Sequence, residues 1–159
     1  MKRITTPWRK NYIEGQTKEE GCVFCNALKK ADDPNTLIVH RGKRAFVIAN
    51  LYPYTNGHLM VAPIDHQHSL ELLDVETRTE MMELVTQTLV ILKDVYNPHA
   101  FNVGANIGKA AGAGVPDHVH MHIVPRWTGD ANFMSVIGET RVLPETAAQT
   151  QQRVKAKWK

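Results

Sequence analysis

The sequence of 159 residues predicts an α+β domain built on a mainly antiparallel five-stranded sheet, with a long helix packed on it and a C-terminal helix. Three observations carry this. Residues 37–63 hold three extended segments separated by turn chemistry, residues 74–96 hold one sustained helical period, and residues 101–126 return to extended patterns. Strands that come in blocks, rather than alternating one by one with helices, are the mark of an α+β arrangement.

The first block, "LIVHRGKRAFVIAN" (37–50), is rich in Val and Ile and reads as two strands around an Arg41-Gly42 turn. "LYPYTNG" (51–57) carries Pro53 and the Asn56-Gly57 pair, strong turn formers, and "HLMVAP" (58–63) resumes a strand that Pro63 ends. From Asp74 to about Tyr96 the apolar residues Met81, Leu84, Val85, Leu89, Leu92 and Val95 recur every three or four positions, one face of a helix that covers the sheet. "FNVGANIG" (101–108) reads as the fourth strand, "KAAGAGVPD" (109–117) as a loop and "HVHMHIVPR" (118–126) as the fifth. From Pro144 onward a C-terminal helix is expected.

Hydrophobic content of 43% and charged content of 22% suit a water-soluble globular chain. No apolar run approaches the roughly 20 residues a membrane span needs. The N-terminal "MKRITTPWRKNYIEG" is basic without an apolar stretch behind it, which predicts no secretory signal and a cytoplasmic location. A net charge of +3, split between the two ends, favours an anionic small molecule over nucleic acid. The only cysteines, Cys22 and Cys25 in "GCVFC", form a C-x-x-C pair: a redox dithiol, half of a zinc site, or two small buried thiols.

The most informative stretch is "HVHMHIV" (118–124). Side chains of a strand alternate between faces, so His118, His120 and His122 share one face while Val119, Met121 and Ile123 share the core face. Positions 118 and 122 lie roughly 13 Å apart along a strand, too far for one tetrahedral metal to hold all three rings. At least one ring needs a non-metal role. Neutral imidazole is a nucleophile and a proton carrier near pH 7, and aligned rings can divide those tasks. The preceding "GANIGKAAGAG" (104–114) offers backbone N–H groups to an anionic oxygen, and Lys109 adds positive charge. Together these point to phosphoryl or nucleotidyl transfer.

These residues resemble the histidine triad (HIT) superfamily. "HVHMHIV" matches its His-φ-His-φ-His-φ-φ signature (φ, apolar), "GHLMVAP" and "NIG" match the segments before and after the long helix, and "CVFC" matches its zinc-containing branches. The block "FNVGANIGKAAGAGVPDHVHMHIVPRWTGDANF" (101–133) is most similar to the branch of diadenosine tetraphosphate phosphorylases and fragile-histidine-triad-like hydrolases. The resemblance implies one HIT domain over 1–159, with an N-terminal extension over 1–20 and a C-terminal helix or tail over 145–159. It implies a homodimer whose sheet continues across the interface. It implies a nucleotide, such as a dinucleoside polyphosphate, attacked at the α-phosphate by His120 to give a covalent nucleotidyl-histidine. His122 would contact the phosphate and assist the leaving group, His58 would lie beside the triad, Asn50 would face the ribose and Asn106 the phosphates.

Just before the triad the sequence departs from the family's hydrolases. "AGAGVPDH" (111–118) has Gly114 and no hydroxyl or amide side chain in the stretch where they carry one, a backbone N–H could substitute, and water and phosphate both stay open as acceptor. The resemblance also implies a structural zinc on Cys22, Cys25, His66 and His118, with His68 in "DHQH" as competitor for His66. His40 and His99 receive no role. Two other readings stay open: a nucleoside phosphoramidate hydrolase of the same fold, and a nucleotide-binding module without turnover, suggested by the basic ends and Trp8, Trp127 and Trp158.

Overall fold

The computed structural model describes residues 20–30, 33, 36–130 and 144–158. Apart from Glu20, the expected N-terminal extension lies outside the described residues, as do Trp8 and the last three residues of the 101–133 block. The elements are α1 (Val23–Lys29), β1 (Ile38–Arg41), β2 (Ala45–Ala49), β3 (Leu59–Pro63), α2 (Val75–Tyr96), β4 (Ala100–Gly104), β5 (Met121–Arg126) and α3 (Ala147–Lys155). The strands form one sheet in the order β1-β2-β3-β5-β4, every pairing antiparallel. The fold is the expected α+β architecture. No helix among the described residues is long and apolar enough to cross a membrane.

β2 and β3 are buried along their whole length, which is why their sequences are apolar without alternation. Val47, Leu59 and Val61 pack with Met81, Leu84, Val85 and Leu92 of α2. Phe46, Ile48, Met60 and Ala62 turn the other way and pack with Phe24 and Ala27 of α1. Cys22 is the N-cap of α1 and Cys25 lies inside it. Arg41, read as a turn residue, ends β1 and caps α1 instead. Its guanidinium donates to the carbonyls of Leu28 (3.1 Å), Ala27 (3.4 Å) and Lys30 (3.0 Å).

α2 begins where expected, with the Asp74 carboxylate accepting from the Thr77 N–H, and ends at Asn97, whose φ of 44° is left-handed. Its buried face includes Thr77 and Thr88, which the apolar period passes over. Thr88 is tolerated there because its hydroxyl donates to the Leu84 carbonyl at 2.6 Å. Gly42 is favoured by closeness: a Cβ there would sit 2.9 Å from the Ala45 carbonyl and would also displace the Glu80 carboxylate, which accepts from the Arg44 and Ala45 N–H groups. α3 opens on a Thr146–Gln149 capping box and buries Val154, and the Gln151 amide donates to the Ile38 carbonyl at 2.9 Å. His40 stacks on Trp158 at 4.8 Å, tying the C-terminus to β1.

β4 stops at Gly104, short of the expected 101–108 strand. β5 begins only at Met121, and the reason lies across the ladder. Val61 pairs with Met121, so Pro63 would face Val119, but proline has no N–H to donate. The Val119 N–H goes instead to the Gln67 carbonyl at 2.7 Å.

The core assignment predicts a sharp contrast on α2. Leu92→Ala, at a fully buried position, should cost about 2–5 kcal/mol of unfolding free energy in urea titration. Val90→Ala, 64% exposed two residues away, should stay within about 0.5 kcal/mol. Equal losses would contradict this packing.

Candidate active site

Although residues 118–120 precede β5, the alternation read from the sequence persists through them. Val119 and Ile123 join the α2 core with Met121 packed against it, while the three histidines turn to the α1 side. The rings then divide. His118 is fully buried toward the cysteines, whereas His120 and His122 line a cleft of about 350 Å³ together with Asn50, Asn106 and Gly114. Lys109 sits on an exposed turn and is not among the residues lining that cleft; Lys30, at the end of α1, is.

Acceptor-only groups fix the tautomers here. The Nδ1 atom of His120 lies 2.9 Å from the His118 carbonyl. A carbonyl can only accept, so the proton is on Nδ1 and the lone pair is on Nε2. His120 is 4% exposed. Burial lowers its pKa below that of an ordinary histidine, opposed by the His118 hydrogen bond, and the neutral ring is the favoured form. A buried ring with one nitrogen tied and the other carrying a free lone pair is arranged as a nucleophile.

His122 receives the opposite polarity. The Tyr54 N–H donates to Nδ1 of His58 at 3.1 Å, so His58 carries its proton on Nε2 and donates it to Nδ1 of His122 at 3.0 Å. Neutral His122 is thereby left with an N–H at Nε2, a donor suited to a phosphoryl or leaving-group oxygen. His58 itself is 1% exposed and sits behind His122. Asn50 accepts from the Tyr52 N–H at 2.9 Å and also lines the cleft, so strand-end capping and cleft position coincide in one residue.

Cys22, Cys25, His66 and His118 converge, their ligand atoms all within 4.8 Å of one another. The Cys22 Sγ to His118 Nδ1 distance is 3.3 Å, Cys25 Sγ to His66 Nδ1 3.3 Å and Cys25 Sγ to His118 Nδ1 3.7 Å. Tetrahedral zinc at about 2.3 Å from sulfur and 2.0–2.1 Å from nitrogen sets such pairs about 3.6 Å apart, so the donor set fits. His118 Nε2 donates to the Pro63 carbonyl at 2.9 Å, the outer hydrogen bond that orients a metal-binding imidazole. His68 is not in this cluster. Burial, with the neighbouring Cys22, raises the Cys25 pKa.

Several cleft residues escaped the sequence reading. Phe24 lies between the two cysteines in the chain and places its ring 5.2 Å from His118 and 4.9 Å from His120, packing the metal-side and cleft-side rings together. Tyr54, read only as part of a turn, lies 4.6 Å from His58 and 6.0 Å from His122. The signal for Phe24 was its place inside the C-x-x-C motif.

The tautomers are directly measurable. Nitrogen NMR of the imidazoles should find His120 protonated on Nδ1 and neutral His122 on Nε2, and His58→Ala should release the His122 preference while leaving that of His120. A His120 ring protonated on Nε2 would contradict the geometry.

Comparison with known proteins shows the family of the chain. The HIT domain model matches residues 31–129. The AP-4-A phosphorylase of Mycobacterium tuberculosis is 37% identical over 166 aligned positions, covering 99% of this chain and 85% of that protein. The asymmetrical bis(5'-nucleosyl)-tetraphosphatase of Schizosaccharomyces pombe is 32% identical over 58% of this chain and half of its own length. Among solved structures, a Zn-bound histidine triad family protein from Mycobacterium smegmatis superposes with a TM-score of 0.67 at 26% identity, covering 86% of this chain and 91% of that one. With its sheet, its alternating histidines and a domain match over most of its length, this chain belongs to the HIT family.

Proposed function

We propose that this HIT-family enzyme cleaves a nucleoside 5′-phosphate derivative, a dinucleoside polyphosphate such as diadenosine tetraphosphate, through a covalent nucleotidyl-histidine at His120. The observation that carries the proposal is the His120 ring, tied at Nδ1 to the His118 carbonyl and lining a cleft with Asn50 and Asn106. The similarity to a phosphorylase and a tetraphosphatase of this substrate class supports it. In the first step His120 Nε2 forms a bond to the α-phosphorus. The bond to the bridging oxygen breaks and the polyphosphate leaves as its anion, that oxygen accepting a hydrogen bond from the His122 Nε2–H. In the second, an acceptor oxygen attacks the same phosphorus, the N–P bond breaks to return the lone pair to His120 Nε2, and any proton on the acceptor passes to solvent. His58 acts behind His122 as its orienting partner. Asn50 and Asn106 take the ribose and phosphate positions, and the backbone at Gly114 faces the phosphates.

Zinc on Cys22, Cys25, His66 and His118 belongs to the same reading as a structural ion. It would hold His118, and through the His118 carbonyl the direction of His120, without entering the reaction. A homodimer completes it. β4 is an edge strand, Val103 on it is 43% exposed, and pairing two such edges would continue the sheet. Native mass spectrometry should find a dimer with one zinc per chain, Cys25→Ser losing the metal and Val103→Arg the dimer. A metal-free monomer from wild type would reject both.

The reaction itself is tested by products. In isotopically labelled phosphate, diadenosine tetraphosphate should give ATP with either unlabelled AMP, for water as acceptor, or ADP carrying label, for phosphate. His120→Ala should lose activity by at least about a thousandfold. Preference for an adenosine phosphoramidate over the dinucleotide would reject the substrate class, and binding without turnover would reject the enzyme.

A further inference from the structure

His122 owes its proton polarity to a peptide N–H that belongs to a turn, and the turn is held from outside the cleft. The Tyr54 N–H donates to His58 Nδ1 at 3.1 Å from the segment between β2 and β3. Thr55, the next residue, is half-buried and is not among the residues lining the cleft. Its hydroxyl donates to the Pro125 carbonyl of β5 at 2.8 Å, and its own carbonyl accepts from the His58 N–H at 3.3 Å. The β3–β5 pairs run only as far as Leu59 and Ile123, so the hydroxyl joins the two elements two residues beyond that point on β5. Gly57 completes the turn with a φ of 74°, and a Cβ there would sit 3.0 Å from the Tyr96 ring and 3.2 Å from the Pro125 ring. The turn is thus packed against Tyr96 and Pro125 and pinned to β5 by the Thr55 hydroxyl.

Two neutral histidines in hydrogen-bond contact have two self-consistent proton arrangements. In one, His58 carries its proton on Nε2 and donates it to His122 Nδ1; in the other, His122 donates from Nδ1 and His58 carries its proton on Nδ1. The second would set the His58 Nδ1–H against the Tyr54 N–H, donor against donor, and would leave His122 Nε2 a lone pair with no proton to offer. A Tyr54 N–H held in place excludes that arrangement, whereas one that can swing away does not. We infer that Thr55 is a positioning residue: by pinning the turn to Pro125 it keeps the Tyr54 N–H on His58 and so keeps the proton of neutral His122 on Nε2. The inference rests on the reading of His122 as hydrogen-bond donor to the leaving oxygen given above. Thr55 acts through His58, without touching substrate.

The test uses the full chain with Thr55→Val, which keeps the shape and removes the hydroxyl, Thr55→Ala as a second hydroxyl-free variant, and Thr55→Ser, which keeps the hydroxyl. Nitrogen NMR should show neutral His122 shifting from Nε2–H toward Nδ1–H in Thr55→Val and Thr55→Ala and staying on Nε2 in Thr55→Ser, with His120 on Nδ1 in all three. On diadenosine tetraphosphate, kcat should fall about tenfold in Thr55→Val and recover in Thr55→Ser, with KM changed by less than about twofold. Added to His58→Ala, Thr55→Val should cost nothing further, because its effect passes through His58. A His122 ring still protonated on Nε2 in both hydroxyl-free variants, a change at His120 equal to that at His122, or a full additional loss in the His58→Ala background would overturn the role of Thr55. If wild type turns over no dinucleotide, the catalytic reading falls, and the NMR comparison by itself decides whether Thr55 sets the His122 proton.

Discussion

The hydrogen bond from His120 Nδ1 to the His118 carbonyl is the constraint on which the site depends. An imidazole has two nitrogens of similar basicity, and in water the proton exchanges between them. Tying one nitrogen to a backbone acceptor two residues upstream removes that freedom, leaving the lone pair at the nitrogen that meets the cleft. The strand spacing makes this possible, since residues 118 and 120 project to the same face. A ring already oriented loses less freedom when it attacks.

The acceptor is itself anchored from several sides. Pro63 cannot continue the ladder, so its carbonyl is left for the His118 side chain, which holds His118 with Nδ1 toward the two thiols. Phe24 fills the space between the His118 and His120 rings, and α1, which carries Phe24 and both cysteines, is held at its other end by Arg41. One short helix thus serves the metal-type cluster with its cysteines and the cleft with its inner face. On the far side of His120, the Tyr54 and His58 hydrogen bonds set the opposite proton polarity on His122. Two adjacent rings on one face are thereby given complementary roles, one by a backbone carbonyl and the other by a backbone N–H relayed through His58.

Much of this was legible in the chain. The two-residue histidine period, the apolar period of α2 and the turn chemistry at Asn56-Gly57 report local geometry, and local geometry is what sequence encodes most directly. The convergence of Cys22, Cys25, His66 and His118 came from resemblance rather than spacing, and no local rule separates His66 from His68, both exposed on one loop. Lys109 was placed by its charge, yet charge says nothing about direction, and Lys30 lines the cleft instead. Thr88 was hidden because a hydroxyl bonded within its own helix counts as apolar in packing while reading as polar in sequence. Arg41 acts through contacts between elements, which no window of the sequence contains.

The central claim, that His120 Nε2 forms the bond to phosphorus, is tested most directly by trapping. A single turnover on diadenosine tetraphosphate, stopped by alkaline denaturation because an N–P bond is acid-labile, is followed by proteolysis and mass spectrometry. The account predicts one adenylyl group on the peptide containing "HVHMHIV", localised by fragmentation to His120. Adenylyl on another residue, or full turnover with no adduct at any time, would contradict it.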